Sequence, residues 1–381
     1  MKVGKPVELG VRMQESVEQT MVPDTIQPPA SVPRSRLLLL FLIFFFICSG
    51  LGYPVLNRID WRQGPGGLDD VVTYAGLVTT APAPDLNQHM QFRILVPYLA
   101  RPIYRMAKNH IGTWDPIMFG LLVVNSFFVA LTVTLLLIVV HRQLGSYTVA
   151  LGSALIYLLN FAVPNLRLAG MIDAGEAFFL MALVWSLCKE DYWTLPLWAV
   201  VGATAKESFV PFLMVFSFSW WLCSRKGLRR PSTAAIWMVT SWIAGLGSLA
   251  ALQWRITHVF RSPLRFGLDL HQNSAYLEHF LSSFGDRNLW YIFFWLLPLS
   301  VWRLRRLPLN WRVATAVTSA SAFALDAYYG GSPGTIGRAL FSIAGPLLCA
   351  SVAILLFTDV SSAALRGPDG ATPIGSGLAG S

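Results

Sequence analysis

The sequence predicts an all-α protein, a polytopic bundle of transmembrane helices, and two observations carry that prediction. Of the 381 residues, 54% are hydrophobic and only 13% are charged, whereas about a quarter of the residues are charged in a typical soluble domain. Apolar runs long enough to cross the bilayer core as helices, about 20 residues, recur along the chain. The mean hydropathy of +0.53 agrees with this class.

Ten membrane spans are predicted from the apolar runs. They cover residues 37–56, 116–140, 147–163, 170–187, 192–204, 209–222, 234–254, 289–302, 313–325 and 336–357. Residues 36–358 therefore form one transmembrane domain. The flanking segments 1–35 and 359–381 are poor in long apolar runs and are expected to be disordered cytoplasmic tails.

The distribution of basic residues orients the predicted spans. With the N-terminus inside and the spans alternating, both termini are cytoplasmic. The strongest basic clusters, at residues 225–230 and 303–306, then fall on the cytoplasmic side, as the positive-inside rule requires. The exception is the first exterior loop, whose basic residues indicate an anionic partner: Arg58, Arg62, Arg93, Arg101, Arg105 and Lys108. The formal net charge of +9 is thus explained by a membrane surface, and nucleic acid is not expected as a partner. The pattern predicts a multi-pass membrane protein.

The first exterior loop, residues 57–112, is the most polar part of the domain. Asp69 and Asp70 follow Gly66-Gly67 at the predicted start of a helix, where one carboxylate caps the helix and a second is free for general-base chemistry. Residues 91–108 predict an amphipathic helix that lies against lipid headgroups. Alternatively, Arg93 or Arg101 binds a lipid-linked phosphate through its guanidinium fork.

Other charges are predicted at the same exterior level as this loop. Asp173 and Glu176 lie three residues apart on one helix face, either in a structural ion pair of Asp173 with Arg167 or in a site. Lys206-Glu207 lies between two short apolar segments. The pair either closes a charged hairpin or lines a cavity. Arg338 opens the last span. The four cysteines lie in or beside apolar spans without metal-ligand spacing, so no metal site is predicted from them.

Several short motifs resemble those of the GT-C superfamily, the integral-membrane glycosyltransferases that use polyprenyl-phosphate sugars. The motifs are Asp69-Asp70-Val71-Val72-Thr73-Tyr74, Asp173 with its neighbours, Ala205-Lys206-Glu207 to Pro211, and Gly337-Arg338 to Pro346. Phe92-Arg93 to Pro97-Tyr98 resembles a segment of uncharacterised bacterial relatives, and this resemblance implies a bacterial inner membrane. The similarity in layout covers roughly residues 37–357.

The resemblance implies transfer of a sugar from a polyprenyl-phosphate donor to an exterior acceptor. Asp70, with Asp69 and Asp173, would be catalytic, and Tyr74 and Glu207 would support them. Four cations would bind the lipid phosphate: Arg93, Arg101, Lys206 and Arg338. No cofactor is predicted, although a divalent cation stays open. Two alternatives also stay open, a transporter or flippase for an anionic lipid or solute, and a non-catalytic subunit of envelope assembly.

Overall fold

The computed structural model describes residues 33–56, 69–80, 90–112, 114–258, 276–328 and 334–364. Every regular element within these ranges is helical, which confirms the all-α class. The predicted tails lie largely outside these ranges. The first helix begins two residues earlier than the predicted domain, at Arg34, and the last continues past residue 358 to Ala364.

Fifteen α-helices make up the described structure. They are α1 (Arg34–Leu56), α2 (Asp69–Thr79), α3 (Leu95–Ala107), α4 (Pro116–Leu144), α5 (Tyr147–Leu159), α6 (Asp173–Lys189), α7 (Leu195–Ala205), α8 (Phe209–Ser224), α9 (Pro231–Thr257), α10 (Tyr276–Ser283), α11 (Arg287–Phe293), α12 (Leu296–Val301), α13 (Leu309–Tyr328), α14 (Ile336–Ile343) and α15 (Gly345–Ala364). Single turns of 3-10 or π helix lie at Met90–Phe92, Val163–Arg167, Tyr192–Thr194 and Leu304–Arg306.

Three of the described helices are long and apolar enough to cross a membrane by themselves. These are α1 over Arg34–Pro54, α4 and α9, and the pair α14 and α15 adds a fourth span if the two are counted as one bent helix. The faces of α1 and α9 are mostly exposed, with Phe46 68% and Ile243 66% accessible. Because large apolar side chains are exposed on these faces, lipid is their natural solvent.

Helix α4 lies in the centre of the described bundle and packs against α1, α3, α5 and α6. The Asp115 side chain caps its first turn by accepting hydrogen bonds from the backbone N–H groups of Ile117 and Met118. Gly120 allows α3 to approach closely, because a Cβ there would lie 3.0 Å from the Ala100 carbonyl oxygen. This contact attaches the first exterior loop to the bundle.

Prolines explain why three predicted spans are not single straight helices. Pro164, Pro298 and Pro346 each lack the N–H that would bond to the carbonyl four residues earlier. Predicted span 147–163 accordingly ends at Leu159 and is followed by a π turn. Span 289–302 is divided into α11 and α12, and the last span bends by 62° between α14 and α15.

The connections predicted to be cytoplasmic come together at one end of the described bundle. Gln143, Glu190, Ser224 and Asn310, from four helix ends, line one cavity of about 370 Å³. Within it, the Asn310 side-chain amide donates a hydrogen bond to Ser224 Oγ at 3.0 Å. The connections predicted to be exterior meet in a separate cluster of charged side chains.

Candidate functional site

Five separate parts of the chain deliver charged residues to one cluster, and each does so at a helix end. Asp70 lies in the first turn of α2, and Asp173 is the first residue of α6. Arg93 follows the turn Met90–Phe92, Lys206 directly follows α7, and Arg338 lies in the first turn of α14. Helix ends place these polar groups beyond the apolar middle of the bundle, where ionised side chains are least costly.

Asp173 is the most central acid of the cluster. Its Oδ1 accepts a hydrogen bond from Lys206 Nζ at 2.7 Å, and its Oδ2 lies 3.4 Å from Arg338 NH1. Only 2% of Asp173 is exposed. The alternative of an ion pair with Arg167 is not the arrangement observed, because Arg167 donates to the hydroxyls of Tyr157 and Ser342.

Lys206 connects two carboxylates of α6. Its Nζ lies 2.7 Å from Asp173 and 3.1 Å from Glu176, whose other oxygen accepts a hydrogen bond from the Ser208 hydroxyl. Burial lowers the pKa of Lys206, but the nearby charges of Asp173 and Glu176 more than reverse this, and the net pKa is raised. Lys206 is therefore a cation whose bonds are directed at these two acids.

Arg93 and Glu207 form a second, bidentate ion pair. Arg93 Nε and NH2 donate to the two oxygens of Glu207 at 2.8 and 2.5 Å, and NH1 donates to the Tyr74 hydroxyl at 2.7 Å. Burial raises the pKa of Glu207, but attraction to Arg93 outweighs it and leaves the pKa lowered. Burial raises the pKa of Tyr74 to about 12, despite the opposing charge of Arg93, so Tyr74 stays a neutral phenol near pH 7.

Arg338 makes the loosest contacts of the three cations. Its Nε donates to the Gly334 carbonyl at 2.9 Å, while NH1 and NH2 lie 3.4 Å from Asp173 and Asp70. The helix that carries it is held firmly, because Asp286 Oδ2 accepts a hydrogen bond from the Gly337 N–H at 3.0 Å. Arg338 thus presents a positioned guanidinium fork with weakly engaged outer nitrogens.

The predicted phosphate ligand Arg101 lies apart from the hydrogen bonds of this cluster. Its guanidinium donates to the carbonyls of Leu77 and Thr80 and stacks over the Tyr98 ring at 3.9 Å. Those carbonyls are at the C-terminal end of α2, where a cation satisfies unpaired acceptors. In the described structure Arg101 fixes α2 to α3, and its predicted phosphate role stays a prediction.

Glu176 and Ser208 belong to the cluster although they are not among the site residues predicted from sequence. The spacing of Asp173 and Glu176 on one helix face was the available signal for Glu176. Ser208 carried no comparable signal, because a serine at a helix boundary is commonly a cap. Asp69 begins α2, but its side chain lies outside the described part of the structure.

Each described carboxylate of the cluster lies beside a cation. Asp70 faces Arg338, Asp173 and Glu176 face Lys206, and Glu207 faces Arg93. Within the ranges that the structure describes, no three His, Cys, Asp or Glu residues are arranged to hold a metal ion.

The chemistry open to the cluster is that of a carboxylate beside an anion-binding fork. Side-chain exposures are 22% and 13% for Asp70 and Arg338 and 18% and 15% for Glu207 and Arg93, whereas Asp173 and Glu176 are at 3% and 0%. Of the two more accessible pairs, Asp70 and Arg338 have the longer contact, 3.4 Å against 2.5 Å, so this pair is the more open to a ligand. The buried acids Asp173 and Glu176 hold Lys206 in place. No protein-family model, curated protein or solved structure matches the chain.

Proposed function

We propose that this chain is a GT-C-type membrane glycosyltransferase that moves a sugar from a polyprenyl-phosphate donor to an acceptor on the exterior face of the bacterial inner membrane. One observation carries the proposal. Asp70 and Arg338, 268 residues apart in sequence, meet at the end of the bundle opposite the basic connections. This transfer needs a base for the acceptor hydroxyl and a cation that binds the departing phosphate.

The proposed reaction has one proton transfer and one displacement. Asp70 accepts the proton of the acceptor hydroxyl, and the acceptor oxygen forms a bond to the anomeric carbon of the sugar. The bond between that carbon and the phosphate oxygen breaks, its electron pair stays on the oxygen, and polyprenyl phosphate leaves. Arg338 stabilises the negative charge that develops on this phosphate. Lys206 and Arg93 add cations next to this site, each paired with carboxylates of the cluster.

The ten-span threading belongs to this proposal. It places both termini in the cytoplasm, the cluster at the exterior surface and the basic connections inside. Helices α2 and α3 then lie at the exterior membrane surface, where Leu99 and Met106 of α3, 43% and 75% exposed, face lipid.

Substitution of Asp70 by Asn tests the proposed activity. Membranes with and without the chain are supplied with polyprenyl-phosphate hexoses and pentoses, and released polyprenyl phosphate is measured by mass spectrometry. Asp70→Asn should lower release by about 10²- to 10⁴-fold, the usual contribution of a general base. Asp115→Asn, which removes another acid from a helix start but keeps a good N-cap, should retain activity. Full activity in Asp70→Asn would refute the assignment.

Transport of an anionic lipid is a second candidate, and the interrupted helices favour it. The α7–α8 break at residues 206–208 contains Lys206 and Glu207, and the 62° bend between α14 and α15 follows the short helix that carries Arg338. Discontinuous helices whose ends face a substrate are typical of transporters. Reconstitution into liposomes with a fluorescent phospholipid or polyprenyl phosphate distinguishes the two: transport predicts movement between leaflets without sugar release.

A further inference from the structure

The ion pairs of the cluster fall into two groups by length. Lys206 contacts Asp173 and Glu176 at 2.7 and 3.1 Å, and Arg93 contacts the two oxygens of Glu207 at 2.5 and 2.8 Å. Both outer nitrogens of Arg338 lie at 3.4 Å from their carboxylates, beyond the usual length of charge-assisted hydrogen bonds. The cluster therefore has two cations with close contacts and one cation that is held loosely by two acids.

The two acids on Arg338 are not equally bound to the rest of the cluster. Asp173 has a second ion-pair partner, because it also contacts Lys206 at 2.7 Å. Asp70 has no second ion-pair partner among the described residues, and 22% of its side chain is exposed. A partly exposed pair of this kind contributes at most about fivefold to an equilibrium constant. An incoming anion therefore displaces Asp70 more easily than Asp173.

We propose that the phosphate group of an anionic lipid takes the place of Asp70 on Arg338, so that ligand binding itself releases the Asp70 carboxylate. The planar guanidinium matches two phosphate oxygens with NH1 and NH2, which now reach carboxylates only at 3.4 Å. Its Nε stays bonded to the Gly334 carbonyl at 2.9 Å, so the fork keeps its orientation during the exchange.

The exchange couples occupancy of the phosphate site to the contacts of Asp70. While Asp70 is paired with Arg338, its carboxylate is engaged by the guanidinium. Replacement by phosphate removes that ion-pair partner and leaves the Asp70 carboxylate next to the ligand. This inference rests on the proposed function in assigning Asp70 as a base, whereas the competition between phosphate and Asp70 for Arg338 is tested by binding alone.

The test measures binding of farnesyl phosphate to the purified full-length chain in detergent by microscale thermophoresis. Asp70→Asn removes the competing charge and should tighten binding about two- to fivefold. In an Arg338→Gln background, Asp70→Asn should produce no such gain. Asp115→Asn is the matched control, since it removes an equal charge from another helix start and should leave the affinity unchanged. Inorganic phosphate serves as a second probe and shows whether the lipid tail is required.

Two results would overturn the exchange: an unchanged affinity in Asp70→Asn, or a gain that persists in Arg338→Gln. Gel filtration and thermal unfolding check that each variant is folded, and Asp70→Ser, also compatible with a helix first turn, replaces Asp70→Asn if it is not. Tighter binding in Asp70→Asn without sugar transfer by the wild-type chain would retain the exchange and reject the glycosyltransferase. Loss of sugar transfer in Asp70→Asn with an unchanged affinity for farnesyl phosphate would retain the glycosyltransferase and reject the exchange.

Discussion

At the scale of single residues, two arginines of the cluster have different roles because their hydrogen-bond partners differ. Arg93 uses all three kinds of guanidinium nitrogen on Glu207 and Tyr74, so it has little capacity left for a ligand. Arg338 uses one nitrogen firmly and two weakly. We infer that Arg93 has a structural role in the cluster and that Arg338 is the cation that binds a phosphate.

The pair of Arg93 and Glu207 makes stability depend on pH. The pKa of Glu207 is lowered in the folded chain by Arg93. The contribution of Glu207 to the free energy of unfolding is therefore complete above its unfolded pKa of about 4.3. It is lost as the pH falls through the lower pKa of the folded state. Glu207→Gln should destabilise the chain by about 2–3 kcal/mol at pH 7, somewhat below the value for a fully buried broken pair.

Thermal unfolding from pH 7 to pH 3 measures this effect. The melting temperature of the wild type should fall more steeply on acidification than that of Glu207→Gln. Glu278→Gln, on the exposed face of α10, is the control and should follow the wild-type curve. Parallel curves for wild type and Glu207→Gln would show that the pair does not carry this pH dependence.

At the scale of elements, short helices position the cluster while long helices supply the membrane anchor. Helix α14 has only eight residues, yet Asp286 holds its first turn and Asn288 donates to the Gly334 carbonyl at 3.2 Å. Gly337 lies so close to α11 that a Cβ would be 2.6 Å from the Leu289 backbone nitrogen. The position of Arg338 thus depends on the contact between α11 and α14.

Gly337→Ala should displace α14 and weaken phosphate binding without removing any charge. A side-chain contact of 2.6 Å with backbone atoms forces one helix to move, since backbone cannot give way by rotamer change. We expect destabilisation of about 1–3 kcal/mol, as for other overpacked sites, and a reduced affinity for farnesyl phosphate. Gly247→Ala, where nothing lies within 4 Å of the added Cβ, is the control. Equal binding by both variants would contradict this account.

At the scale of the whole molecule, the described bundle has two chemically different ends. One end collects the basic connections around the cavity at Ser224 and Asn310. The other collects acids and cations in nearly equal number in the cluster. The positive-inside rule predicts that the basic end lies in the cytoplasm.

Thiol labelling tests this orientation. In a chain whose own cysteines are replaced by serine, Lys108→Cys after α3 should react with a membrane-impermeant maleimide in intact cells. Lys226→Cys, in the basic connection after α8, should react only after the membrane is permeabilised. Both positions are exposed, so a difference between them reports the side of the membrane. The opposite labelling pattern would reverse the threading and put the cluster in the cytoplasm.

Much of the element pattern was predictable because it depends on local properties of the chain. Hydropathy identified α4 and α9, and the charged break at Lys206 and Glu207 correctly separated α7 from α8. The division of α11 from α12 and the bend before α15 were missed, although Pro298 and Pro346 were visible in the sequence. A proline limits a helix locally, but whether it bends or ends the helix depends on packing.

The sequence by itself determined that the chain is helical and apolar, because helix period, span length and hydropathy are read from neighbouring residues. It also showed which ionisable residues stand at helix ends. Only the tertiary structure decided their partners: Asp173 with Lys206 rather than Arg167, and Asp70 with Arg338 across 268 positions. Such pairs are set by the packing of distant helices, and the physical reason is that a buried charge takes the opposite charge that the fold brings nearest.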